Sequence, residues 1–457
     1  MHALMPREFQ PVSRLRSYCH AFRRTLPSRG RLLFWLAKTS QFGVWQLLSQ
    51  TIQFVTGFLI VRSLSYEAYA QYGLTLSFQS MLALLVDLGF SGSILALVGQ
   101  RIDDREVVGR YMGAALRQRT RLMLAVIPLS VPAFFWFAHS HGWPIGISIL
   151  LYVSIIASLF WQGWVSIHSP ALMMHQRLGS IYRPGIGLGA IRLAVCILLT
   201  AMSALGAVVV CWINALVALA TGWMYRSTAR PYFTLPAEPD REAEREMRKY
   251  LAPLIAGMIF YAFHGQIQVM LITFFGSSKS LAEVTALGRL GQLFTFVSSF
   301  IGTLLVPFIA RVPLERIAVR YTQIISGIFL VGGAMTLLAF AYPRALLFLL
   351  GSKYASLQFE VGLSVMSAAL GMVTGALYGF NNARKWIFHR TAVTSIGGLI
   401  IIESAMIALM DLSTTRNVML FSVVSAGYPI LPFGFAAVQG YRRSVAESRQ
   451  RTESGNS

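Results

Sequence analysis

Residues 58–90, FLIVRSLSYEAYAQYGLTLSFQSMLALLVDLGF, decide how the whole chain reads. An apolar run ends at Arg62, a short polar turn follows over 62–70, and a second apolar run carries Asp87 inside it. At about 1.5 Å per residue, roughly 20 apolar residues cover the hydrocarbon core of a bilayer, so this pattern reads as a helical hairpin spanning a membrane. An acid within such a span is costly in lipid. Asp87 must therefore face protein or water and belongs to a polar pathway.

The same pattern repeats along the chain. Of 457 residues, 55% are hydrophobic and only 12% charged, and the apolar runs are separated by short basic or Gly/Pro-rich breaks. This is the composition of an all-α polytopic membrane protein. A membrane β-barrel is excluded because only every second strand residue meets lipid, which breaks long apolar runs into alternation. Twelve spans are predicted at about 42–62, 71–98, 122–140, 144–166, 186–203, 205–225, 250–275, 282–310, 321–342, 359–380, 391–410 and 417–440.

A net charge of +21 would suit nucleic acid, but the placement of the charge argues otherwise. With these spans, 32 of the 39 Lys and Arg residues fall in the N-terminal arm and alternate loops. The opposite face holds only Arg62, Lys279, Arg344, Lys353 and Arg416. That asymmetry puts both termini in the cytoplasm and gives no reason to invoke nucleic acid. The first 38 residues carry eight basic residues and no uninterrupted apolar core with a cleavage site, so they read as an uncleaved cytoplasmic arm. Its end, LLFWLAK at 32–38, reads as a short amphipathic surface helix. The three cysteines form neither a disulfide framework nor a metal spacing.

A basic, Pro-containing loop over 226–249 divides the chain into halves of six spans, the sequence sign of a transporter with repeated lobes. The segments are 1–39, a basic arm; 40–225, a first six-helix lobe; 226–249, a linker whose DREAEREMRK reads as a surface helix; 250–441, a second six-helix lobe; and 442–457, a tail. A faint echo between LIVRSLSYEAYAQYGL and LITFFGSSKSLAEVTAL supports the repeat. External loops are short, the longest being 343–358 with the apolar LLFLL in it. They leave no room for the catalytic loop of a membrane glycosyltransferase or polymerase, so an enzyme is not expected. GxxxxGK[ST] is absent, which favours secondary transport over a nucleotide-driven pump.

Five strongly polar groups fall within predicted spans: Asp87, Arg192, His264, Arg289 and Glu403. Asp87 and Arg192 lie at similar depth and read either as an interhelical ion pair or as a cytoplasmic gate. Arg289, in ALGRLGQL, has small neighbours that let a ligand approach, and a guanidinium fork suits phosphate oxygens. His264, in FHGQIQ, reads as a packing residue or a proton-linked switch. Glu403 reads as the partner of Arg289 or a cation site. Gln46, Gln50 and Gln53 recur on the first span, with Gln266 and Gln268 on the seventh; they line a cavity or hold helices together. The aromatic groups Trp161 and Trp164, and Tyr66, Tyr69 and Tyr72, read as interface belts.

Arg62-Ser63-Leu64-Ser65 through Tyr72-Gly73, Asp87-Leu88-Gly89, and Leu350-Gly351 to Tyr354 before the tenth span carry a resemblance. Together with the span count and loop lengths over the whole chain, they make it similar to the polysaccharide flippases, the O-antigen or Wzx-type transporters of lipopolysaccharide biosynthesis. These form a branch of the multidrug/oligosaccharidyl-lipid/polysaccharide (MOP) exporter superfamily. The resemblance implies a MATE/MOP-like fold of two six-helix lobes around a central cationic cavity in the bacterial inner (plasma) membrane. It implies transfer of an undecaprenyl-pyrophosphate-linked oligosaccharide, an O-antigen or exopolysaccharide repeat unit, to the periplasmic leaflet by alternating access. Implied partners are that lipid-linked oligosaccharide, membrane lipids, a polysaccharide polymerase and assembly proteins, and a coupling proton or cation; no cofactor or metal is implied. On this reading Arg289 and Arg192 line the pyrophosphate path with Gln50 and Gln53 as further substrate contacts, and Asp87, His264 and Glu403 serve as gate or coupling groups. The related lipid II flippases usually have fourteen spans, against twelve here. A drug/cation antiporter of the same superfamily, with an acid-lined cavity, and a non-transporting envelope scaffold are the alternatives.

Overall fold

The computed structural model describes residues 28–454 apart from Gln100, Gln176, Ala237 and Phe388, so most of the predicted N-terminal arm lies outside the described residues. The described residues up to Leu48 belong to one compact unit and those from Ser49 onward to another. The described part of the first is helical, belonging to a helix (α1, Ser28–Ser63) that includes LLFWLAK; the side chains of that segment lie outside the described residues.

All regular structure among the described residues is helical. After α1 come α2 (Tyr66–Val98), α3 (Arg105–Ser140), α4 (Ile145–Met174), α5 (Leu178–Ala201), α6 (Ala207–Ala229), α7 (Arg241–His264 with Ile267–Phe275) and α8 (Ser278–Arg311). The remainder are α9 (Leu314–Ala341), α10 (Gln358–Ala383), α11 (His389–Leu409) and α12 (Thr415–Ser448), with LLFLL lying in a short helix, Pro343–Leu350, before α10. Among the described residues eleven helices are long and apolar enough to cross a membrane, and α7, bent by 49° between its two parts, makes a twelfth if the pair is one span. Leu124, Leu129, Leu330 and Leu409 are 72% to 85% exposed. Apolar side chains this open on long apolar helices suit a surface that faces lipid.

Sequence and packing agree closely at the helix ends. Ser65 caps α2 by accepting from the Ala68 amide at 3.2 Å, and Asp104 caps α3 by accepting from the amides of Glu106 and Val107. Along α10, Ser367, Thr374 and Asn381 recur every seven residues and so share one face. They donate to the carbonyls of Ser422, Ala426 and Phe433 at 3.0, 2.9 and 2.8 Å, tying α12 along the length of α10. Side-chain bonds of this kind align helices where lipid removes the hydrophobic drive to associate.

Four of the predicted continuous spans are interrupted among the described residues. Leu88 and Gly89 both adopt left-handed backbone, with φ of 37° and 76°, and divide α2 just after Asp87. Gly89 fits there because a Cβ would come within 2.6 Å of Met258 on α7. Within α8, Arg289–Gly291 is a 3₁₀ turn and Ile301–Leu305 a π turn. The other two interruptions are the breaks in α7 at Gly265-Gln266 and in α12 at Tyr428-Pro429.

The predicted surface helix DREAEREMRK runs straight into the span as the beginning of α7, with one face docked on α3. Ala243, Met247 and Leu251, at spacing four, are buried among Val108, Met112 and Leu172. Glu244, only 3% exposed, accepts from Arg117 Nε at 2.6 Å, Gln118 Nε2 at 2.8 Å and Arg121 Nη1 at 2.7 Å. Asp240 accepts from Arg110 Nε and caps α7 through the Ala243 amide. That amide and the Arg110 guanidinium together hold the Asp240 carboxyl below its ordinary range.

Candidate functional site

Two adjoining chambers meet at Arg289. The 3₁₀ turn loosens α8 there, between Gly288 and Gly291, and directs the guanidinium toward α2. Its Nε donates to the Tyr69 hydroxyl at 3.3 Å, and its carbon lies 5.5 Å from the centre of the Tyr72 ring. Gly57 on α1 packs beside the guanidinium, in ordinary van der Waals range of Arg289 and Gln292.

The first chamber has a volume of about 530 Å³ and draws polar groups from several helices, among them Gln53, Gln162, Arg192, Asn214, Arg289 and Gln292. Arg192 Nη1 donates to Asn214 Oδ1 at 3.2 Å, while its Nε is shut from solvent without a hydrogen-bond partner. Among the described residues neither arginine makes an ion pair, and no carboxylate lines the chamber. Two guanidinium charges therefore face one cavity uncompensated, which favours an anion inside it.

The predicted acids stand elsewhere. Asp87 does not pair with Arg192: its Oδ1 accepts from Arg119 Nη1 at 3.4 Å and from Ser91 Oγ. Arg119, assigned to a loop by the sequence, is buried in α3 and also donates to the Leu159 carbonyl at 2.9 Å. Gly163 makes room for it, because a Cβ there would meet Arg119 Nε at 2.4 Å. The arrangement has a physical reason, since a carboxylate at the C-terminal end of a helix opposes the helix dipole and needs a cation.

Glu403 likewise is not the partner of Arg289. Its Oε1 lies 3.0 Å from His264 Nδ1, although the angles fall short of a hydrogen bond. His264 stacks on Phe260 at 5.4 Å and ends the first part of α7, so the pair sits at the 49° bend. Neither His264 nor Glu403 lines a chamber, but Gly265 and Gln266, next in the chain, line the second. Of the glutamines, Gln53, Gln266 and Gln268 face the chambers and Gln50 does not.

Of the tyrosines read as an interface belt, Tyr69 and Tyr72 are internal and Tyr66 is half-buried. Tyr69 and Tyr72, 0% and 3% exposed, hold Arg289. Tyr66 packs edge-on against Tyr354 and donates to the Lys353 carbonyl, while Lys353 Nζ donates to the Leu64 carbonyl. The α1–α2 turn is thus clasped to the loop before α10, whose Gly351-to-Tyr354 wording the sequence singles out. Gln162, Asn214 and Gln292 escape sequence reasoning, since a single amide in an apolar run carries no signal of where it points.

No family model and no curated protein matches the chain. Solved structures do. An inward-facing multidrug resistance MATE family transporter of the MOP superfamily superposes with a TM-score of 0.62 at 14% identity, covering 86% of this chain and 94% of its own. The lipid II flippase MurJ in an inward closed conformation gives 0.61 at 12% identity, covering 88% and 89%. The fold is that of the MATE and MurJ proteins. A MATE structure in the bent conformation gives 0.55 at 14% identity over 89% and 96% of the two chains. At such identities the MATE/MurJ likeness concerns architecture alone, and the choice of substrate has to come from the chambers.

Proposed function

We propose that this protein is a transporter of the MOP type that moves an undecaprenyl-pyrophosphate-linked oligosaccharide, an O-antigen or exopolysaccharide repeat, from the cytoplasmic to the periplasmic leaflet of a bacterial inner membrane. The observation that carries the reading is the pair Arg192 and Arg289, facing one chamber with no ion-pair partner and no carboxylate in its wall. A diphosphate presents oxygens matched to guanidinium forks. Its glycan needs a polar, lipid-free path, and the polyprenyl tail can remain in the bilayer. Alternating access would open the chambers to each side in turn, with Asp87 and its partner Arg119 as an inner gate group. In this scheme His264 with Glu403, placed at the bend of α7, would couple a proton or cation to the movement.

A drug/cation antiporter is the competing reading, since MATE proteins share the fold. Such a site needs exposed acids, and here Asp87 and Glu403 are each engaged by a basic side chain outside the chambers. The test is complementation of a flippase-deleted strain by wild type, Arg289→Ala and Arg192→Ala at matched expression. Wild type should restore surface polysaccharide, and each variant should leave the lipid-linked repeat in the inner leaflet. Restoration by both variants equal to wild type would remove the arginines from the path.

A further inference from the structure

The second chamber differs from the first in chemistry. It has a volume of about 320 Å³, lies between α2, the bend of α7 and α8, and shares Arg289 and Gln292 with its neighbour. Arg289 is its one charged lining residue among those described. The rest of its polar wall is neutral: Ser77, Ser80, Gln266, Gln268, Thr285 and Gln292. Two of these side chains also anchor the wall, Thr285 Oγ1 lying against Gly73 and Gln292 Oε1 against Gly57. Gly73 backs the site closely, since a Cβ there would stand 2.5 Å from Thr285, which fixes the threonine in the wall.

Hydroxyl and amide groups at this density match a polyol. Anions are better served next door by two arginines, and an apolar ligand would leave Gln266 and Gln268 unsatisfied. The chamber is also at the lower end of the roughly 300–1,000 Å³ range of small-molecule sites. We propose that it is a sugar subsite, receiving the ring attached directly to the diphosphate while Arg289, on the boundary, holds the phosphates. The proposal rests on the flippase reading and adds a division of labour to it: charge recognition in the first chamber, glycan discrimination in the second.

Gly288 offers a clean test, because it lines this chamber and a Cβ built on it meets nothing within 4 Å. A larger side chain there would occupy the ligand's space without displacing protein atoms. Full-length protein in nanodiscs would be titrated with farnesyl diphosphate, with farnesyl diphosphate bearing one N-acetylhexosamine, and with the free N-acetylhexosamine. Wild type should bind the sugar-bearing probe roughly tenfold more tightly than the bare diphosphate, the worth of one or two satisfied hydrogen bonds. Gly288→Leu, and independently Gln268→Leu, should erase that difference while still binding the bare diphosphate, which reports correct folding.

Equal binding of the two lipid probes by wild type would overturn the subsite and leave the diphosphate site standing. Loss of both probes in parallel in the two variants would also overturn it, assigning the chamber to packing. Free sugar binding as tightly as the lipid-linked probe would assign the chamber to a soluble ligand instead. Failure of wild type to bind either lipid probe would remove the flippase reading, and the subsite with it.

Discussion

Asp87 and Arg119 show how a charge pair can sit within an apolar bundle. Arg119 is 5% exposed and shares its donors between Asp87 and the Leu159 carbonyl, so removing it strands a carboxylate at a helix C-terminus. Arg119→Ala should therefore lower stability by about 3 kcal/mol, the low end for breaking a buried pair because Asp87 keeps some contact with solvent. Asp87→Asn in the same chain should restore much of the loss, as measured by thermal unfolding in detergent. Additive losses in the double variant would mean that the two side chains do not act as a pair. At this scale the sequence is partly legible. Arg192 and Arg289 stand out because a guanidinium in an apolar run is rare, and both reach the chamber. Arg119 does not stand out, because it belongs to a basic stretch that continues smoothly from loop into helix. Partners are harder still, since Asp87 and Glu403 each face helices distant in sequence.

The helices themselves follow from apolar run length, and each of the twelve predicted spans has its helix or bent pair. Their interruptions follow less readily. Gly89 and Gly265 mark two of them, yet most glycines in the chain interrupt nothing, so glycine alone does not show where a helix breaks. At the start of α7 the charges are conspicuous in the sequence, while the buried stripe Ala243, Met247, Leu251 that docks it is short and narrow. This junction has a pH dependence of definite sign. The Asp240 carboxyl is held below its ordinary range by the Ala243 amide and by Arg110. The resulting stability is present above the unfolded carboxyl's pKa of about 4 and is lost as pH falls through the lower folded value. Hydrogen exchange at the Ala243 amide, corrected for intrinsic rate, should thus lose protection on acidification below about pH 4. Asp240→Asn should flatten that profile. An unchanged profile in the variant would detach the effect from Asp240.

Over the whole molecule, a shared MATE and MurJ architecture hosts a cavity whose electrostatics are its own. The acids that a cation carrier would display are engaged with Arg119 and His264, and the arginines are left facing the space. The proposal of a lipid-linked glycan rests on that exposure of the two arginines in the chamber. Neighbouring halves of the chain are joined at a clasp of Tyr66, Lys353 and Leu64, and again where Arg110, Arg117 and Arg121 meet the start of α7. Sugar identity is beyond the reach of composition or span pattern, because amide and hydroxyl positions in a cavity depend on the packing of helices far apart in sequence.

The most direct measurement is translocation in proteoliposomes containing the purified chain, a fluorescent polyprenyl-diphosphate glycan and, separately, a lipophilic cationic dye. Wild type should carry the glycan lipid between leaflets and leave the dye gradient untouched. Arg289→Lys should slow the lipid about tenfold, since it keeps the charge but loses the fork and the flat contact with Tyr72. Dye movement without lipid movement, with Arg289→Lys indistinguishable from wild type, would contradict the account and make the protein a cation carrier.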